Sequence, residues 1–292
     1  APSIIGLNNV ALRKQVSGIH HIVFQNGLMK IKNWPELTIS SGIVILNQHD
    51  TVVEALLKAG DNYAGELTIK GRIPRNTAHP VVLDIKAKDY PIQDILGKGL
   101  GRIVKGEIRS DMGSLSYNYK KPTADALSFI MPFNATELRM SELPMFTDLK
   151  NLTGETLYVR PLFNHCRGTV MRTSEGVTLN DLNLISNSLL TLEGNISVNA
   201  KGGLSGTLTV GIPKRQLGKK SPPPTFTGPH DGFYHTTVTL SGTIHNPNDN
   251  LGDLMGINTP KASTPIPKVR PQASPEIPSG RDLEKEFDDL LR

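Results

Sequence analysis

Apolar and polar residues alternate with a period of two along most of the chain, and the alternation is cleanest in its second half. Leu190, Leu192, Ile196 and Val198 share one parity, while Thr191, Glu193, Asn195, Ser197 and Asn199 take the other. The same division separates Leu204, Leu208, Val210 and Ile212 from Ser205, Thr207 and Thr209. It also separates Val238, Leu240 and Ile244 from Thr237, Thr239, Ser241 and Thr243. Successive side chains of a strand point to opposite faces, so each run presents one apolar and one wet face. That is the pattern of an antiparallel sheet solvated on one side.

A shorter pattern, in which Leu, Ile or Val flank a glycine at two-residue spacing, occurs five times. The copies are Ile69-Lys70-Gly71-Arg72-Ile73, Val104-Lys105-Gly106-Glu107-Ile108, Leu192-Glu193-Gly194-Asn195-Ile196, Leu204-Ser205-Gly206-Thr207-Leu208 and Leu240-Ser241-Gly242-Thr243-Ile244. In a strand the three key positions face one side, and the glycine marks a bend or bulge. Five copies read as a repeated structural unit.

The remaining elements follow from turns and periodicity. Asn26-Gly27, between two apolar runs, predicts a hairpin turn. Thr51–Lys58 fits a helix or a strand; the Gly60-Asp61-Asn62 turn and the run Gly65–Ile73 favour a hairpin. Val81–Ala87 reads as a strand, and Ile92, Ile95 and Leu96 form one side of a short amphipathic turn. Gly101–Ser110 and Gly113–Tyr119 predict a hairpin around Asp111-Met112-Gly113. After Lys120-Lys121-Pro122, strands are expected at Ala126–Phe133 and Ala135–Met140. A helix over Ser141–Leu152 would be capped by Ser141 and stopped by Gly154. Further strands are expected at Thr156–Phe163, Cys166–Arg172, Gly176–Leu184, Ser188–Asn199 and Gly203–Ile212.

These readings predict a mainly β protein: a long curved antiparallel sheet, a trough or half-barrel, with one or two short helices and a disordered Pro-rich C-terminal tail. Residues 1–120 form a β-rich N-terminal half and 121–258 a β-rich C-terminal half, the latter containing a Pro-rich loop at 213–232. Residues 259–280 read as a disordered linker. Residues 281–292 read as a short amphipathic helix with Leu283, Phe287, Leu290 and Leu291 on one face. Alone it is too short to hold together in water. It is either a frayed tail or a docking peptide for a partner's groove or sheet edge.

Composition adds limits. With 292 residues the chain can bury a sizeable core, and 37% hydrophobic with 20% charged content is ordinary for a folded protein. Aromatic residues are only 5%, so burial rests on Leu, Ile and Val. The net charge of +5 is compatible with an anionic surface but demands none. No aromatic residues interleave with the basic ones, so nucleic acid is not expected as a partner. Cys166 is the sole cysteine, which excludes an internal disulfide and paired-cysteine metal or redox motifs. No apolar run reaches the roughly 20 residues a membrane-spanning helix needs.

The search for chemistry finds no catalytic residue, no cofactor and no metal site. The eight His show no metal or catalytic spacing, and His165-Cys166, as strand neighbours, point to opposite faces. There is no P-loop, dinucleotide fingerprint or complete nucleophile elbow. Asp84 and Asp111 leave a carboxylate hydrolase as an alternative, without a spacing that selects them. Asn248, Asp249, Asn250 and Asp253 carry oxygen ligands but fit turn chemistry better than a calcium loop.

The run Gly176–Ile212, with the strand Leu190–Val198 and then Gly203–Leu208, resembles the C-terminal repeats of AsmA-like proteins. Val238–Met255 resembles the closing strand and cap of that family, and Asp84–Ile108 fits it too. The resemblance implies a non-enzymatic protein of the Gram-negative periplasm or cell envelope, held to a membrane by a segment outside this chain. It also implies lipid transport or outer-membrane maintenance, with acyl chains carried on an apolar β-groove. Leu192, Ile196, Leu204, Leu208, Leu240 and Ile244 are then the groove candidates, and envelope or membrane proteins are candidate partners of the C-terminal helix. A secreted or periplasmic hydrolase and a structural or adhesion module are the competing classes.

Overall fold

A computed structural model describes residues 3–5, 11–14, 20–30, 37–46, 50–59, 65–74, 80–121, 126–186, 189–217 and 221–256. The expected linker at 259–280 and the helix at 281–292, with Leu283, Phe287, Leu290 and Leu291, lie outside the described residues. The strands are β1 (Ser3–Ile5), β2 (Ala11–Lys14), β3 (His20–Lys30), β4 (Leu37–Leu46), β5 (Asp50–Ala59), β6 (Gly65–Pro74), β7 (Val81–Pro91), β8 (Val104–Tyr117), β9 (Leu127–Ala135), β10 (Leu138–Met140), β11 (Leu162–Phe163), β12 (His165–Thr173), β13 (Gly176–Ser186), β14 (Leu190–Asn199), β15 (Leu204–Pro213), β16 (Thr227–His230), β17 (Phe233–Thr243) and β18 (Asn246–Asp249). The helices are α1 (Ile92–Ile103), α2 (Pro144–Thr153), α3 (Lys214–Leu217) and α4 (Leu251–Leu254), with a 3-10 turn at Thr156–Val159.

Sixteen strands form one open antiparallel sheet. Its order follows the chain from β3 to β9, passes to β12, and continues through β13, β14 and β15 to β17. β1 and β2 border β3, while β16 and β18 border β17. β10 pairs with the start of β8 and with β11, forming a short ribbon beside the main sheet. β8 pairs directly with β9, so the halves expected at 1–120 and 121–258 share one sheet and one core.

Side-chain parity aligns across the strands into rows. Ile22, Val44, Val53, Gly71, Leu83, Leu115, Phe129, Arg172, Val177, Val198 and Leu204 are successive Cα partners. The row is apolar except at Arg172. The opposite face is wet: Ser116 bonds Ser128 at 2.7 Å, Ser197 bonds Ser205 at 2.8 Å, and Asn183 donates to Glu193 at 2.9 Å.

α1 is broken at Gly97, whose φ of 73° and ψ of −171° interrupt the helix. A helix break frees carbonyls that need donors. Arg172 supplies them, donating through Nη1 to the carbonyls of Ile95 and Leu96 at 3.2 Å each. This accounts for a cation in an apolar row. α2 is stopped by Gly154 as expected, but Ser141 does not cap it. Asp249, 104 residues away, instead accepts from the Met145 N–H at 2.7 Å.

Four local expectations fail for related reasons. Asn26-Gly27 is no turn; β3 runs through it and pairs continuously with β4. Asp111-Met112-Gly113 is likewise inside a strand, where register shifts against β7 and β9 absorb it as bulges. Pairing on both flanks outweighs turn propensity there. The Pro213–Gly232 loop contains α3 and β16. Thr156–Phe163 is no strand but the 3-10 turn followed by β11, because Tyr158 turns inward, buries fully and donates to the Leu189 carbonyl at 2.7 Å.

Candidate functional site

Among the described residues the most extended feature is the apolar inner face of the sheet. Its geometry differs along the sheet. Leu192, Ile196, Leu204, Leu208, Leu240 and Ile244 do share one face, as their parity predicts, but all six are between 0% and 5% exposed. They pack into the closed core with Ile92, Ile95, Leu96, Leu100 and Ile103 of α1. The expectation that these six line an open groove is therefore corrected: protein already covers them.

The glycines between them explain the close packing. Gly194 has φ of 140° and sits opposite the β13 bulge, where the register shifts between Leu179 and Leu182. A Cβ there would collide with the Thr207 carbonyl oxygen, so only glycine lets β14 and β15 approach.

Towards the N-terminal edge the cover thins. Ile22, Val44, Val53, Leu83 and Leu115 lie on the same cross-strand row as buried Val177 and Val198, yet each is only half-buried. Val44, Leu83 and Leu115 pack against the margin of the core. One row below, Ala55, Ile69 and Ile85 are buried. The half-open band thus runs across β4 to β8 beside a closed core. Sequence reasoning missed it because the groove search followed the glycine repeats; the alternation of Val53, Ala55 and Leu57 was the available signal.

Polar clusters offer less. Among the described residues no group of three or more His, Cys, Asp or Glu is placed to hold a metal ion. Asp84 and Asp111 are exposed and lie in separate surface hollows, of about 670 and 550 Å³. Cys166 is buried while His165 is exposed, and burial pushes the thiol up to about 12, far from a reactive thiolate. Asp249 accepts from both Met145 and Leu251, tying α2 to α4, and Asn250 accepts from the Thr239 N–H at 2.8 Å. This is the turn chemistry their sequence indicated. Burial raises the Asp249 and Asp148 carboxyls above their usual range, and Asp253 adds to the effect at Asp148. Burial lowers Arg172 to about 10.

Comparison of the chain with protein-family models, with curated proteins and with solved structures gives no match.

Proposed function

We propose that the protein handles lipid without catalysis, as an AsmA-like protein of the periplasm or cell envelope, and that an acyl chain lies along the half-open band of β4 to β8. One observation supports this reading. A single cross-strand row, apolar except at Arg172, is sealed over β13 and β14 and only half-buried from Ile22 to Leu115. An aliphatic chain laid across Val44, Val53, Leu83 and Leu115 would continue the packing that the core provides at the other end of the row. Such a ligand needs no polar anchor, which matches a row whose members from Ile22 to Leu115 are apolar or glycine.

The test is native mass spectrometry and lipid extraction on protein purified from a Gram-negative host. Wild-type protein is expected to release lipid, and Val44→Asn with Val53→Asn is expected to lose most of it while retaining its far-UV circular dichroism. Ile130→Asn, exposed on the wet face of β9, serves as a folded control that keeps its lipid. Wild-type protein that carries no lipid would overturn the reading.

A further inference from the structure

Among the large apolar side chains exposed at the surface, two stand one residue apart. Leu157 is 67% exposed and Val159 is 39% exposed. Between them Tyr158 is fully buried and hydrogen-bonded to the Leu189 carbonyl, so the 3-10 turn is pinned from below. A single exposed leucine is ordinary. A rigid turn that presents two of them outward around an anchored tyrosine is a built projection.

Cations lie on one side of it. Val159 and Arg160 line a hollow of about 730 Å³ together with Lys105 and Arg139. Arg139 and Lys105 are direct partners in the β10–β8 ladder. Like charges directly opposite one another destabilise a sheet unless an anion lies between them. Among the described residues Lys105, Arg139 and Arg160 have no salt-bridge partner, whereas Glu142, the hollow's acid, is paired with Arg102 at 2.9 Å. The remaining acids nearby are Glu155 at the start of the turn, and Glu107 on β8 and Glu137 just before β10, which line a second hollow with Lys105 and Arg139.

We infer that this turn docks the protein on an anionic phospholipid surface, with Leu157 and Val159 entering the headgroup boundary and Lys105, Arg139 and Arg160 meeting lipid phosphates. Apolar residues flanked by cations are the composition of an interfacial anchor, which sinks roughly 5–10 Å into the boundary between headgroups and acyl chains. A bilayer requires no shape-matched cleft, only protrusion and charge, and the turn offers both. The surface is separate from the acyl band and stands without it.

Flotation of the full chain with vesicles tests this. Phosphatidylcholine vesicles containing phosphatidylglycerol should carry the protein, and pure phosphatidylcholine vesicles should carry far less. Salt should weaken binding, because surface charge interactions are screened within about 10 Å at 0.1 M. Each of Lys105→Gln, Arg139→Gln and Arg160→Gln should weaken binding roughly fivefold. Leu157→Asp with Val159→Asp should abolish flotation while far-UV circular dichroism stays that of the wild type, and Leu157→Asp alone, at the more exposed position, should weaken it strongly. Equal flotation of that double variant, no flotation of the wild type, or equal binding to both vesicles would overturn the inference. Retention on immobilised polyglutamate without flotation would assign the surface to an acidic protein and equally overturn it. Val44→Asn with Val53→Asn should still float, which separates failure here from failure of lipid carriage.

Discussion

Val53 and Val198 occupy one cross-strand row of one sheet, but Val198 is buried and Val53 is half-exposed. Their strands are alike in length and alternation. What differs is the layer above: a Cβ at Gly99 of α1 would lie 3.6 Å from the Val198 side chain, whereas Val53 lies outside the central core cluster that α1 joins. A sheet with an apolar face must cover that face or use it. Here the region around β13 to β17 is covered by the chain's own helices, and the band over β4 to β8 is covered less completely.

The largest test of this contrast is truncation. Leu208→Ala, at a fully buried position, should cost about 2–5 kcal/mol by urea unfolding, while Val53→Ala should cost well under half of that. Equal losses would break the distinction between the two regions. Next in size is Arg172→Met, which keeps bulk in the row but strips the freed Ile95 and Leu96 carbonyls of their donor. We expect a loss of about 1–3 kcal/mol, and increased hydrogen exchange of α1 amides rather than of β4 or β5.

Asp249→Ala should cost about 0.5–2 kcal/mol through loss of the α2 cap. Its pH dependence has a definite sign. Burial raises the folded carboxyl, so the native state binds the extra proton. That contribution is complete below the ordinary value of 3.8 and is lost as pH rises through the raised value. The difference between wild type and Asp249→Ala should therefore be largest in acid and shrink towards neutrality. The smallest effect is a rate: with the thiol at about 12 and buried, Cys166 in the folded protein should resist a thiol reagent at pH 8, reacting only as the covered region opens. Fast labelling would show that region to be looser than its packing implies.

Strand identity was legible because alternation is a property of each segment. Leu190–Asn199 and Leu204–Pro213 match expectation almost residue for residue, and the shared face of the six groove candidates was read correctly from parity. Turns were less legible. At Asn26-Gly27 and at Asp111–Gly113 the local preference for a turn yields to ladders on both sides of the strand, which only distant partners supply. The α2 cap was illegible for the same reason: Ser141 sits where a cap belongs, but Asp249 reaches the amide from the far end of the chain.

The half-open band and the cationic turn depended on information further still from the local pattern. Val53 and Val198 are the same residue in the same kind of alternation, and nothing within either strand states which one a helix will cover. Leu157 looked like part of a strand until the burial of Tyr158 turned it outward. What the amino-acid order determined by itself was the antiparallel sheet, its two-faced character and the set of residues on the apolar side, because period-two patterning acts within a segment. Which part of that side is sealed, and which is left half-buried, was decided only by the tertiary structure, because cover comes from contacts between elements far apart in the chain.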